Sequence, residues 1–287
     1  MKVAVIGCSG GMGSLFVRYF LSRKFEVAGS DLKRTGVRSP RFEYFRSNSK
    51  AVQGAEFVIL ATPIDDTLQA AREVLPMTDK GATLVEICSV KGKMLPSLRR
   101  MVSSSGRRLL SIHPLFGPSI KSFYRMKIAV VTKKNGASEM KVARRLLRGA
   151  IMITIHEDDH DRLMALALSL HHFLNLAYAK TLAKYISPSD FRKLSTPNSL
   201  LQLTLAEAVL AQNPLLYSYI QIGNEHSRGV VESFTQEIGT IHEIVQSKDR
   251  KRFEEFFTTA SKFYRDDIAS HNVLEKISRA SKLMQDG

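Results

Sequence analysis

The chain has 287 residues, of which 44% are hydrophobic and 24% charged, with 17 Gly, 9 Pro and no Trp. That composition excludes a disordered, collagen-like or coiled-coil chain, and the length accommodates two domains. The net charge of +15 is uneven: 27 Lys and Arg stand against 11 Asp and Glu up to residue 157, and 15 against 16 beyond it. A basic surface favours anionic partners. The basic runs Arg99-Arg100, Arg107-Arg108 and Lys141, Arg144, Arg145, Arg148 read as solvated faces, and no RNA-recognition motif, zinc finger or Gly-Arg repeat accompanies them. An anionic small molecule, rather than a nucleic acid, is the expected partner. Cys8 and Cys88 are too few for a disulfide framework and have no second Cys or His at zinc spacing, so thiols and no metal are expected. The longest apolar runs, 57–61 and 163–170, fall far short of the roughly 20 residues that cross a bilayer. Met1-Lys2 leads straight into a strand-like run with no targeting pattern, which predicts a cytoplasmic protein without a membrane span.

In chain order, the first half alternates β-rich runs at 3–6, 26–30, 57–61, 83–87, 109–112, 127–132 and 151–155 with longer amphipathic segments. This alternation predicts βα units on a doubly wound, mostly parallel sheet. The character changes near Glu157-Asp158-Asp159, after which the chain reads as all-helical. The expected division is therefore a dinucleotide-binding domain over 1–157 and a helical domain over 158–287. The segment 163–178 is apolar on nearly every side, which predicts a helix buried in a bundle or a subunit interface. Asn213 is expected to cap a helix that opens with Pro214. Phe253, Phe256, Phe257 and Phe263 recur at helical spacing and are most simply core.

Directly after the first strand comes Gly7-Cys8-Ser9-Gly10-Gly11-Met12-Gly13, followed by the helical pattern Leu15, Phe16, Tyr19, Phe20. A glycine-rich turn at a helix start lets backbone amides and the helix dipole meet a pyrophosphate. Cys8 occupies the first glycine position of the dinucleotide fingerprint. The second strand ends at Asp31, 18 residues past Gly13, about where an acidic side chain accepts the ribose hydroxyls of NAD. Lys33 and Arg34 follow, and these could instead hold the 2′-phosphate of NADP; NAD is the favoured cofactor. Thr62-Pro63, after another strand, falls on the carboxyl edge of the sheet where such folds bind ligands. The candidate cofactor residues are thus Gly7, Ser9, Gly10, Gly11, Met12, Gly13, Asp31, Thr62 and Pro63, in a Rossmann-like domain.

Oxidising an alcohol requires a base for the hydroxyl proton as hydride leaves, and histidine has a suitable pKa. His113 is the best placed of eight, ending a predicted strand in Ser111-Ile112-His113-Pro114-Leu115-Phe116-Gly117-Pro118. Ser89-Val90-Lys91-Gly92 also follows a strand, and the Ser89 hydroxyl is positioned to orient an imidazole or a substrate oxygen.

These residues together resemble the prephenate and arogenate dehydrogenases of tyrosine biosynthesis. The likeness runs from the Gly-Gly-Met-Gly loop and Asp31 through Ser89 to Lys91 and His113 to Pro118. It continues with His160-Asp161-Arg162-Leu163-Met164, His171-His172-Phe173 and Ala211-Gln212-Asn213-Pro214-Leu215-Leu216-Tyr217. The resemblance implies that His113 accepts the substrate hydroxyl proton, that Ser89 supports it, that His172 faces the substrate, that Tyr217 lines the pocket and that the helical domain forms a homodimer. One departure stands out. The family usually carries an arginine for the ring carboxylate four residues before the Gln-Asn-Pro turn, where this chain has Ala208, and a second eight residues earlier, where it has Leu200. Lys91, assigned to the substrate, and Arg125, Arg192, Lys193 and Arg228 are the candidate replacements. The expected activity is oxidative decarboxylation of prephenate, with arogenate or a catalytically silent NAD-binding role as alternatives.

Overall fold

The computed structural model describes residues 1–134 and 136–285. The chain packs as two units, Met1–Met164 and Ala165–Gly287.

The first unit is built on one sheet of eight strands. They are β1 (Lys2–Ile6), β2 (Glu26–Ser30), β3 (Phe42–Phe45), β4 (Phe57–Leu60), β5 (Thr83–Glu86), β6 (Arg108–Pro114), β7 (Lys127–Thr132) and β8 (Ile151–His156). Their order across the sheet is β3-β2-β1-β4-β5-β6-β7-β8, and every pairing is parallel except the antiparallel β6–β7 pair. Strand order reverses direction beside β1, so the crevice outside the carboxyl ends of β1 and β4 is the topological switch point of a doubly wound fold. Its helices are α1 (Gly11–Ser22), α2 (Asn48–Ala51), α3 (Ile64–Val74), α4 (Met94–Ser103), α5 (Ala137–Leu146) and α6 (Glu157–Met164).

Side-chain alternation sorts the sheet's residues to two faces. Val3 and Val5 join Phe16, Phe20, Ile59 and Phe123 in one core cluster; Ala4 and Ile6 join Leu60, Leu84 and Leu98 in the other. Because helices cover both faces, the central strands read as continuous apolar runs rather than alternating ones. Truncating a fully buried member such as Leu98 to Ala is expected to cost roughly 2–5 kcal/mol. β3, a short edge strand of Phe-Glu-Tyr-Phe, lies outside the predicted runs because Arg and Ser-rich flanks mask it. The expectation that Arg99 and Arg107 are simply solvated is corrected: Arg99 pairs with Glu157 at 2.6 Å, and Arg107 donates to the Thr78 carbonyl.

The second unit is helical throughout its described residues. One wide π-helical turn over Ala165–Leu170 leads into α7 (His171–Leu182), then α8 (Pro188–Leu194), α9 (Pro197–Leu210), α10 (Pro214–Gly223), α11 (Ser227–Ser247), α12 (Arg250–Phe263), α13 (Arg265–His271) and α14 (Val273–Gln285). Asn213 caps α10 by accepting from the Leu215 amide, with Pro214 in the first turn. The reading of the α12 aromatics as core is corrected. Phe253, Phe257 and Phe263 are 45%, 65% and 83% exposed, and α12 buries none of its residues within the single chain. Leu166, Leu174, Leu215 and Ile222 are exposed as well. No helix among the described residues is long and apolar enough to cross a membrane.

Candidate active site

The loop after β1 is shaped by contacts that admit no side chain. Gly7 has φ +82°, and a Cβ there would lie 2.5 Å from the Ala61 carbonyl oxygen. A Cβ on Gly13 would overlap the Gly7 carbonyl oxygen, so α1 starts hard against the loop. Cys8, where the fingerprint has its first glycine, is accommodated by a glycine elsewhere: its side chain is buried and fills the space that a Cβ on Gly29 of β2 would need. Gly10 caps α1 without a side-chain partner, and no acidic residue stands in the first turn. The amides at Gly11, Met12 and Gly13 are thus left to an anion. Asp31 lies just past β2, where its Oδ2 accepts from the Ser9 amide at 2.9 Å. Pro63 caps α3, and Thr62 hydrogen-bonds Thr67, putting the β4 turn against Gly7. These features place a glycine cradle and an acidic side chain side by side, so the candidate cofactor residues lie together at one sheet edge.

His113 sits near the end of β6, 3% exposed. The loop that follows it returns to the cradle, since a Cβ on Gly11 would stand 3.0 Å from Pro118 Cγ. His113 Nδ1 lies 3.1 Å from His160 Nε2, and His160 Nδ1 lies 2.7 Å from Asp161 Oδ1. The same carboxylate accepts the Lys91 amide at 2.9 Å and the Gly92 amide at 2.6 Å. Burial works against its ionisation, but the bonds from His160 and from those two amides more than offset it, holding Asp161 below the usual carboxylate range. Burial, then the nearby Lys91 cation and His160, push the His113 imidazole well below its ordinary value of 6.5. Burial likewise lowers His160, against the opposing pull of Asp161.

These states fix the proton order. An ionised Asp161 only accepts, so His160 carries its proton on Nδ1 and presents a lone pair at Nε2. His113 must then donate from Nδ1, which leaves its own Nε2 as the unprotonated nitrogen, without a protein partner among the described residues.

Beneath the imidazoles lies a buried charge cluster. Lys91 is 2% exposed, and its Nζ donates to Glu86 Oε1 at 2.6 Å, the Cys88 carbonyl at 2.9 Å and the Ile112 carbonyl at 2.8 Å. Glu86, fully buried, also accepts from the Ser111 hydroxyl and from the Cys88 amide at 3.0 Å. All three ammonium hydrogens are spent inside the protein, so the expectation of Lys91 as a substrate cation is corrected: it ties Ile112, the residue before His113, to the segment that grips Asp161. Ser89 is half-buried on the same loop and makes no hydrogen bond to His113 among the described residues. The roles of Glu86, Ser111, His160 and Asp161 escaped the sequence reading. The available signal was a charged residue closing the buried strand Thr83-Leu84-Val85-Glu86, five residues before a lysine.

In the second unit, His172 on α7 and Tyr217 on α10 pack ring to ring, 4.0 Å between centroids. His172 is 5% exposed, its Nδ1 lacks a hydrogen-bond partner among the described residues, and burial with the neighbouring His171 pushes its pKa down to about 4. Asn175 links His171 to Gln202 of α9. Leu200 is buried and Ala208 exposed on α9. Of the other candidate cations, Arg192 is held by Glu207, Lys193 by Asp190 and Arg228 by Glu232, while Arg125 is exposed at φ +60°.

Residues 29–152 match the family model described as "Prephenate dehydrogenase, nucleotide-binding domain", and residues 156–259 match "Prephenate dehydrogenase, dimerization domain". A relative from Methanocaldococcus jannaschii named "Probable arogenate/prephenate dehydrogenase" is 29% identical over 99% of this chain and 68% of its own length. Two solved structures share the fold. The prephenate dehydrogenase of Aquifex aeolicus, in complex with hydroxyphenyl propionate and NAD+, aligns with TM-score 0.70 and 21% identity over 93% of this chain and 98% of its own. The Synechocystis arogenate dehydrogenase aligns with TM-score 0.66 and 16% identity over 93% and 99%. With both domain models matched in order along the chain, this protein belongs to the prephenate/arogenate dehydrogenase family of oxidoreductases.

Proposed function

We propose that the protein is an NAD-dependent prephenate dehydrogenase that converts prephenate to 4-hydroxyphenylpyruvate and CO2 as a homodimer. The observation that carries this reading is the Asp161–His160–His113 order, which leaves an unprotonated imidazole nitrogen near the end of the strand whose following loop returns to the glycine cradle. NAD, when bound, supplies the hydride acceptor. The amides of Gly11, Met12 and Gly13 hold its pyrophosphate, and Asp31 accepts its ribose hydroxyls. His113 Nε2 takes the substrate's ring-hydroxyl proton as hydride leaves the same carbon, and loss of the ring carboxylate as CO2 completes aromatisation. Asp161, acting through His160, stabilises the imidazolium that forms. Exposed apolar side chains such as Leu166, Leu174, Phe253 and Phe257 lie within the match to the dimerization domain and support a subunit interface there.

An alanine in place of a charge-assisted contact to the ring carboxylate forgoes about 1.5–3 kcal/mol, enough to weaken binding tenfold or more. Arogenate, whose side chain carries an amino group in place of the keto oxygen, meets the same base and is the second reading, favoured by the relative whose name covers both substrates. The test is NADH formation by purified protein with NAD and each substrate in separate assays. Turnover with prephenate at a KM between about 1 μM and 1 mM is the expected result. Turnover with arogenate alone would replace the substrate, and no turnover with either, despite NAD binding, would make the chain a silent NAD-binding protein.

A further inference from the structure

Between α1 and the loop after β6 lies a cavity of about 690 Å³, lined by Arg18, Tyr19, Arg23, Lys121, Phe123 and Arg148 among others. No acidic residue lines it, and none of its four cations pairs with a carboxylate among the described residues. Elsewhere Arg99, Arg192, Arg228 and Arg279 all have acidic partners. Like charges gathered at one place repel each other and raise the local concentration of anions. The cations also stand on a braced frame. Phe123 stacks on Tyr19 with 4.2 Å between centroids and meets Phe16 edge-on at 5.3 Å. The Tyr19 hydroxyl lies 3.3 Å from the Leu146 carbonyl and 3.2 Å from that of Arg148, and the Arg125 amide donates to the Gly149 carbonyl at 2.7 Å. Helix α1, the loop after β6 and the turn before β8 are thereby bonded to one another. Each brings charge to the cavity: Arg18 and Arg23 from α1 and its C-cap, Lys121 from the loop, Arg148 from the turn. Burial raises the Tyr19 phenol above its ordinary pKa, and the charges of Arg23 and Arg148 pull against that rise, so both guanidinium groups bear on the cavity floor.

Shape narrows the choice of anion. A second cavity, of about 450 Å³, continues from the first, sharing Ser22, Arg23 and Arg148 and adding Lys24 and Arg145. Arg145 is engaged by Glu56 at 3.8 Å, while Lys24 has no acidic partner among the described residues. Small-ligand pockets run from about 300 to 1,000 Å³, so each cavity has the size of a binding site and a lone inorganic anion fills neither. A molecule with anionic groups at two places spans both and meets Arg23 and Arg148 where they join. Guanidinium groups match phosphate oxygens in planar, bidentate geometry, and the Ser119 and Ser122 hydroxyls add donors at the rim. We infer that this cavity is a second anion site, separate from the glycine cradle, for a small molecule bearing at least two phosphate groups. The site needs neither the cofactor nor the substrate of the proposed reaction, because α1 meets the cradle with its first turn and this cavity with residues from Leu15 to Arg23.

Binding is read by calorimetry on the full chain, with inorganic pyrophosphate and inorganic phosphate as probes and saturating NAD present to fill the glycine cradle. Pyrophosphate is expected to bind with a Kd below about 1 mM at about 0.15 M salt, and at least tenfold more tightly than phosphate. The double variant Arg23→Ala, Arg148→Ala is expected to weaken pyrophosphate at least tenfold while leaving NAD affinity within twofold of the parent. The double variant Lys33→Ala, Arg34→Ala, in the basic segment on the other side of α1, is expected to change pyrophosphate binding less than twofold. Arg148→Ala alone, on an exposed turn, is expected to weaken it severalfold and keeps the test readable should the first double variant fail to fold. Pyrophosphate binding that survives loss of Arg23 and Arg148, that falls instead with Lys33 and Arg34, or that vanishes at about 0.15 M salt would overturn the inference. So would tighter binding of a short oligothymidine than of pyrophosphate at that salt, which would make this face a nucleic-acid surface.

Discussion

His113 and His160 share a hydrogen bond of 3.1 Å between Nδ1 and Nε2, although 47 residues separate them and they sit on β6 and α6. The contact is one link of a closed circuit. From His160 it runs to Asp161, from Asp161 to the Lys91 amide, and from the Lys91 ammonium to the Ile112 carbonyl, one residue from His113. The His160 imidazole is therefore held at both ring nitrogens, and the His113 imidazole at Nδ1. A circuit of this kind fixes ring orientation and tautomer before substrate arrives, and pre-set geometry is what makes a general base effective.

Removing the base tests the role directly. His113→Asn is expected to lower kcat by roughly 10²–10⁴ while leaving NAD affinity within about twofold, because in the proposed reaction the imidazole acts on the hydroxyl proton while the cradle holds the cofactor. Initial rates and a fluorescence titration with NAD measure both. Turnover near the wild-type rate would take His113 out of the mechanism.

Asp161→Asn probes the order of protons. A carboxamide offers one acceptor oxygen where the carboxylate offers two, and these now serve His160, Lys91 and Gly92. Its NH2 can also turn to His160 Nδ1 and reverse the tautomer, which in a serine-protease triad costs about 10⁴ in kcat. A fall of roughly 10²–10⁴ in kcat with an unchanged KM for NAD is expected. A fall in stability without a fall in kcat per folded molecule would reduce Asp161 to a packing role.

The first unit was legible because its signals are local. Buried parallel strands carry contiguous apolar residues, and the glycine turn follows the first of them. In the second unit, Asn213-Pro214 likewise announces α10 at two adjacent positions. Edge strand β3 was not legible, since half-buried residues on a sheet margin need no long apolar run. Nor was the exposure of Phe253 and Phe257, because helical spacing shows which residues share a face and leaves open what covers it. The charge circuit was hidden for another reason. Glu86, Lys91, Ser111, His160 and Asp161 come from separate segments that only the sheet order brings together. Lys91 in particular reads as a free cation in sequence, and its three buried acceptors appear only with the strands in place.

Those acceptors make Lys91 a stability residue. Lys91→Met leaves the Glu86 carboxylate buried without its cation, a change that typically costs 3–5 kcal/mol. The double variant Glu86→Gln, Lys91→Met removes both charges and is expected to regain a substantial part of that loss. Urea denaturation of the four proteins in the cycle gives the coupling between the two residues. A single variant within 1 kcal/mol of the parent would mean that water reaches this pair.

The pH dependence follows from the same burial. A base is lost when it is protonated, so activity declines as pH falls through the His113 pKa. Burial, Lys91 and His160 hold that pKa well below 6.5, so kcat/KM for prephenate is expected to stay level from pH 8 to about 6, with its acid limb lower still. Lys91→Met removes one of the depressing charges, and its acid limb should move up toward 6.5. Stability carries the same sign. The unfolded chain binds protons on these histidines below about 6.5 while the folded chain resists them, so folding stability present at neutral pH is lost as pH falls. For His172 that loss spans 6.5 down to its folded value of about 4. Melting temperatures measured from pH 7.5 to 5 should therefore fall, and less steeply in His172→Asn. An acid limb at or above 6.5 in the parent enzyme would place His113 in water rather than in the buried circuit.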